Sequence, residues 1–308
     1  YEAFADYFGD APKNDRVLTQ IYEGDSQLKG ALEAGEVDVA FRHLTPQQQQ
    51  DLENNDDINV IQGEGAFIRY IVLNPNLEPF NDVNVRKAFA AAIDRQRIID
   101  NVLLGLGEPL YSMVPSLFPS SIPAFQEQYE GQQPSDFISE PVEFELYYPG
   151  LRYGDTEPEL AQEIQRMAEE TDLFTVTPQL SEWAQFSEQA WPGETGQYPA
   201  FLLAWYPDYL DADDYLYPFY DSEKSFLGMY SNERVDELID QEQTASAPDA
   251  PEREEAFKEI QQITADEVPI IPLFEAPQYA YARTNVSGVE ETLDAAQVFR
   301  FWVISKSE

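Results

Sequence analysis

The 308-residue sequence has no cysteine, one histidine (His43), and only six lysines and twelve arginines against 58 acidic residues. Without cysteine there is no disulfide framework, zinc ribbon, iron–sulfur cluster or thiol nucleophile. A single histidine excludes multi-histidine metal sites and leaves His43 alone for histidine base catalysis; its bland reading is a surface or packing residue. No Walker A run, GxGxxG or GxSxG elbow occurs, so nucleotide-phosphate cradles and α/β-hydrolase chemistry find no motif. No apolar run approaches the roughly 20 residues that span a bilayer. The formal charge of −40 repels phosphate backbones and anionic membrane surfaces, which excludes nucleic acid as a partner.

What is present is a core. Hydrophobic residues make up 43% and aromatics 13% of the chain, too many for a disordered acidic polymer. The length suggests two domains or lobes. Aspartate and glutamate are scattered through every segment while lysine is scarce. Dispersal of this kind reads as a halophile surface, hydrated by carboxylates in concentrated salt, rather than as one cation-binding or basic-partner site. The chain starts at Tyr1 with no initiator Met, signal peptide or lipid-attachment cysteine, so it reads as part of a longer or processed product.

Pattern and cap chemistry predict alternating elements. Val17–Ile21 fits a strand, followed by a helix from Asp25 through Leu32 stopped by Gly35, then a strand at 37–40, giving a β–α–β unit. Thr45-Pro46 opens a short helix. Val60–Ile61 and Ala66–Leu73 read as strands, the second buried on both faces. Asn81-Asp82 and Asp94 each precede a helix, the second ended by Gly105 and Gly107. Residues 109–141 read as a long irregular connection. Strands are predicted at Val142–Tyr148, Leu173–Thr177, Pro199–Trp205, Pro269–Phe274 and Tyr279–Arg283. Helices are predicted from Pro158, over Asn232–Glu242 and over Pro251–Asp266. The fold class is α/β with mixed sheets.

Six segments in order carry a family resemblance: GEVDVA (Gly35–Ala40), NDVNVRKAFAAAIDRQRII (Asn81–Ile99), AWYPDYLDADDYL (Ala204–Leu216), YSNERVDELID (Tyr230–Asp240), PEREEAFKEIQQITADEVPIIPLF (Pro251–Phe274) and NVSGVE (Asn285–Glu290). Together they resemble the peptide and nickel family (family 5) of ABC-importer solute-binding proteins; with the acidity, a haloarchaeal member is expected. The resemblance implies a periplasmic-binding-protein-like clamshell of two mixed α/β lobes. Residues 1–70 and 277–308 would form part of the first lobe and 71–276 the second, with crossings near Ile71–Asn74 and Phe274–Pro277. The N-terminal part of the family's first lobe would be missing. The implied function is extracytoplasmic capture of short peptides by lobe closure and delivery to a membrane permease, by a monomer without cofactor, lipid-anchored outside the sequence.

The resemblance also implies a ligand set. In peptide-binding members an aspartate shortly after a tryptophan accepts the peptide's α-ammonium, and the matching pair is Trp205 and Asp208. A carboxylate ending a buried strand suits a charge-assisted hydrogen bond, and the indole offers a flat apolar wall. The family's proline after the second acidic residue is replaced by Ala212. Arg152, after Tyr147-Tyr148-Pro149, stands where dipeptide-binding members grip the peptide carboxylate, with Tyr153 beside it as a pocket residue. The plainer readings are an ion pair of Arg152 with Asp155 or Glu157, core packing for Trp205, and solvated acids at 208, 211, 213 and 214, most of all at Asp211, Asp213 and Asp214. Calcium at those three lacks the glycine and distal glutamate of an EF-hand loop. Arg86, Asp94, Arg95 and Arg97 read as capping and surface-pairing residues. Alternatives are a non-peptide solute (nickel chelate, sugar, opine) on the same fold, an acidic surface structural protein, or a carboxylate-dependent hydrolase.

Overall fold

The computed structural model describes all residues except 5, 43, 151, 191–195, 296–298 and 308, so His43 lies outside the described residues. In chain order the elements are α1 (Asp25–Ala34), β1 (Val39–Phe41), α2 (Pro46–Glu53), β2 (Ile58–Leu73), α3 (Val83–Ala92), α4 (Arg95–Asn101), β3 (Glu108–Pro109), α5 (Ala124–Tyr129) and β4 (Val142–Tyr148). They continue with α6 (Glu157–Glu169), β5 (Phe174–Leu180), α7 (Trp183–Ala190), β6 (Ala200–Trp205), α8 (Tyr217–Tyr220), α9 (Glu233–Gln243), α10 (Pro251–Glu267), β7 (Ile270–Arg283), β8 (Val286–Ser287) and β9 (Ser305–Lys306).

Local chemistry explains most boundaries. Gly35 ends α1 in the left-handed conformation (φ 74°), returning N–H bonds to the last turn. Thr45 and Gln48 form a reciprocal capping box on α2, and Asp82, Asp94 and Asn232 each accept first-turn N–H groups of α3, α4 and α9. The 109–141 connection is not wholly irregular: it holds α5 and a short 3-10 helix at Pro134–Asp136.

The chain divides into two compact units, Tyr1–Ala66 with Ala276–Glu308, and Phe67–Glu275. The smaller unit packs Ala280, Ala282, Val286, Val289, Leu293 and Ile304 in one cluster and Leu32, Ala40, Leu52, Ile58 and Tyr281 in another. Gly65 has no room for a side chain, because a Cβ there would run into the Ala276 carbonyl on β7. In the larger unit, the rings of Phe80, Phe89, Phe144 and Phe174 meet edge to face or tilted with centroids 4.8–6.3 Å apart.

The main sheet has the order β1-β7-β2-β6-β4-β5, with β3 on β7. It is mixed: β4 runs parallel to β5 and β6, whereas β2 and β6 are antiparallel. Two expectations are corrected. Each pair of short strands around 60–73 and 269–283 is one long strand, β2 and β7, and the two are hydrogen-bonded neighbours in the sheet. Val17–Ile21 is no strand, so the expected β–α–β unit does not form. Beyond the isolated Glu2–Arg16 bridge just before it and the backbone bonds of Val17 with Tyr1, this segment has no ladder partner among the described residues, and Leu18 and Ile21 are exposed.

Candidate functional site

β2 and β6 pair with Arg69 opposite Ala204 and Ile68 opposite Trp205. Both groups of candidate side chains are tied to this one end of the pair. Alternation of side chains puts Phe67, Arg69, Ala204 and Tyr206 toward one face and Ile68 and Trp205 toward the other. On the first face the Phe67 and Tyr206 rings meet at 4.4 Å.

Trp205, the last residue of β6, stacks on Phe226 (5.5 Å, 14°) and meets Phe219 edge-on at 5.1 Å. Its indole N–H donates to Asp214 Oδ2 at 3.0 Å. The same oxygen accepts the backbone N–H of Asp208 at 2.9 Å. Asp214 is 1% exposed and Asp208 is exposed. This corrects the expectation that Asp214 is more a solvated acid than Asp208 is. Burial pushes the Asp214 carboxyl up to about 6, against the two hydrogen bonds it accepts. The Asp208 carboxylate has neither a hydrogen bond nor an ion pair among the described residues.

Neither of the other two acids is simply solvated. Asp211 caps the 3-10 helix Ala212–Tyr215 by accepting the Asp213 N–H, and takes a two-pronged ion pair from Arg253 on α10 (2.7 and 3.0 Å). Asp213 accepts the Tyr209 hydroxyl at 2.6 Å. The three carboxylates thus serve three separate sets of donors, and no group of three or more metal-ligating side chains converges among the described residues. Beneath them Glu242 is buried, with Arg253 3.1 Å away. Burial and a hydrogen bond with Asp213 push its carboxyl up to about 9. Arg253, which donates to Glu242 Oε2 at 3.1 Å while its two-pronged pair goes to Asp211, lowers it only in part.

Arg152 is exposed, in the turn after β4, with its guanidinium 4.5 Å from the Trp183 ring centroid. It forms no ion pair with Glu157; that carboxylate pairs instead with Arg69 at 2.8 Å, both side chains being 2% exposed. Burial raises the Glu157 carboxyl against the pull of Arg69. Tyr153 lies between the two systems: its ring covers Arg69 at 4.6 Å and meets Trp183 edge-on at 6.4 Å. Arg69 stands opposite Ala204, which immediately precedes Trp205, so Tyr153 links the Arg152 turn to this end of β6 through Arg69.

Arg69 escaped the sequence reading, where the only available signal was a charge inside an otherwise apolar strand; Glu157 and Asp214 entered it only as an ion-pair partner for Arg152 and as a solvated acid. The other arginines need correction in one respect. Arg97 pairs with Glu163 and Glu170, but Arg86 and Arg95 are buried rather than surface residues. They bond the carbonyls of Phe80 and Glu267, and of Leu110 and Pro272.

The family described as bacterial extracellular solute-binding proteins, family 5 Middle, matches residues 1–226. The heme-binding protein A of Haemophilus influenzae is 24% identical over 300 residues, 94% of this chain and 53% of that protein. The dipeptide-binding protein of Escherichia coli is 24% identical over 304 residues, 94% of this chain and 55% of that protein. The ABC transporter-associated periplasmic binding protein DppA from Helicobacter pylori, solved in complex with peptide STSA, superposes over 100% of this chain and 61% of its own, with a TM-score of 0.82 and 18% identity. The chain spans about half the length of the curated relatives it matches. No helix among the described residues is long and apolar enough to cross a membrane. With the family match over most of its residues and the same mixed α/β architecture as a solved periplasmic binding protein, the chain belongs to the family 5 extracellular solute-binding proteins.

Proposed function

We propose that this chain is part of the extracytoplasmic binding component of an ABC importer and captures short peptides for a membrane permease. The observation that carries the reading is the exposed, unpaired Asp208 carboxylate just beyond β6, suited to a charge-assisted hydrogen bond with a peptide's α-ammonium. Trp205 offers its half-buried indole beside it, and Arg152 with Tyr153 supplies a cation and a ring for the carboxyl end. In this reading Phe67–Glu275 is the second lobe and the remainder belongs to the first. The lobes close over ligand, excluding water so that polar contacts strengthen, and nothing is chemically altered. The dense negative charge fits a salt-rich exterior, where the Debye length is about 3 Å at 1 M and recognition rests on short contacts.

A second reading, a non-peptide solute, is favoured by the similarity to a protein named heme-binding. Calorimetric titration of the full-length protein in molar salt separates the two. Mixed di- to pentapeptides should bind, N-acetylation of the peptide or Asp208→Ala should abolish the heat, and heme should give none. Heat from heme and from no peptide would replace the first reading with the second.

A further inference from the structure

Asp208 is not held by its own side chain. What fixes the backbone that carries it is one buried oxygen, Asp214 Oδ2, which accepts the Asp208 N–H at 2.9 Å and the Trp205 indole N–H at 3.0 Å. Those two donors are the ends of the Trp205–Asp208 segment, and Asp214 lies six residues beyond the second. The acceptor is itself immobilised. Asp214 belongs to the 3-10 helix that Asp211 caps, and Asp211 is pinned to α10 by the two-pronged Arg253 pair. A carboxylate is costly to bury unless its oxygens are engaged. Keeping this one 1% exposed, while Asp208 stays in solvent, indicates that the loop is organised around it.

We propose that Asp214 is the positioning residue of the ligand site: through these two hydrogen bonds it holds Trp205 and Asp208 in the arrangement that presents the Asp208 carboxylate to a ligand's ammonium group. The inference rests on the reading of Asp208 as the ammonium anchor. Asp214 touches no ligand itself. The carbonyl oxygen of an asparagine could accept both N–H groups, whereas leucine, of similar size, could accept neither.

The test uses the full-length protein and one short peptide, trialanine, titrated calorimetrically against wild type, Asp208→Ala, Asp214→Asn and Asp214→Leu. Asp214→Leu should weaken binding by about tenfold or more, the loss of one to two hydrogen bonds to a charged acceptor, and Asp214→Asn should recover most of it. A solution spectrum adds a readout that mere folding would not move: a Trp205 indole N–H resonance shifted by its carboxylate acceptor, and an Asp208 amide slow to exchange with solvent. If Asp208→Ala abolishes binding while folded Asp214→Leu binds like wild type, the positioning role is overturned and the ammonium anchor stands. If Asp208→Ala itself binds like wild type, both fall. Should Asp214→Leu not fold, Asp214→Asn decides: retained affinity with a Trp205 indole N–H that stays hydrogen-bonded supports the role, and retained affinity with that N–H free in solution overturns it. An Asp208 amide exchanging as fast as an open loop overturns it in the wild type alone.

Discussion

Arg69 on β2 and Glu157 in the first turn of α6 form an ion pair 2.8 Å long across 88 residues of sequence, with both side chains almost wholly withdrawn from water. The pair is incompletely satisfied, since Arg69 Nε and Nη1 are buried with no hydrogen-bond acceptor among the described residues, and the Tyr153 ring covers the guanidinium. Removing one partner leaves an uncompensated buried charge. Glu157→Ala is therefore expected to destabilise the protein by about 3–5 kcal/mol, and Arg69→Met with Glu157→Leu to restore most of that loss. Denaturant unfolding of the three proteins checks it. A single mutant within 1 kcal/mol of wild type, on the order of an ordinary surface change, would show that the pair is hydrated in solution.

Glu242 should govern part of the pH dependence of stability. Its folded carboxyl is raised to about 9 from an ordinary 4.5, so the folded state binds the proton more tightly than the unfolded chain. The stability that this proton supplies is fully present below pH 4.5 and is lost as pH rises through about 9. Glu242→Gln keeps a neutral group of the same shape. Below pH 4.5, where both side chains are neutral, it should change stability by no more than about 1 kcal/mol. Because it takes up no proton on folding, it should remove the decline between pH 4.5 and about 9 and be more stable than wild type at pH 7. A large loss at pH 7 would mean that Glu242 is ionised against Arg253.

Arg152 can be separated from Asp208 by the end of the peptide it serves. Arg152→Ala should weaken binding of free-acid dipeptides by about 10- to 100-fold, the loss of a charged hydrogen bond, and leave their C-terminal amides unaffected. Equal losses for both would make Arg152 a packing residue on Trp183.

Salt should stabilise the chain. With a net charge of −40, self-repulsion opposes the compact state, and the Debye length falls from about 10 Å at 0.1 M to about 3 Å at 1 M. The thermal midpoint is expected to climb steeply between 0.1 and about 2 M potassium chloride, more steeply than for a protein of balanced charge. A flat response would remove the halophile reading of the acidic surface.

Local information carried the secondary structure well wherever a cap or breaker lay within four residues of the boundary it set. Thr45 with Gln48, Asp82, Asp94, Asn232 and Gly35 all act over that range. β4 was legible from alternation alone. Where an element depends on a remote partner, the same signals mislead: Val17–Ile21 has the composition of a strand but no ladder among the described residues, and β2 and β7, neighbours in the sheet, extend through residues that look like breaks.

Composition and local pattern set the absence of cysteine chemistry, the charge, the α/β alternation and the ordered segments that mark the family. Which acids are buried was settled by packing. Asp208 and Asp214 are the same residue type in one short acidic run, and nothing in their spacing says that the second is enclosed while the first faces water. Desolvation depends on what packs around a side chain, here the indole of Trp205 and the Asp208 amide gathered around one oxygen. The partner of Glu157 was likewise set by the fold: the nearby Arg152 points to Trp183, and an arginine 88 residues away takes the carboxylate. Caps and alternation are properties of a short stretch of chain, whereas burial and pairing belong to the packed whole.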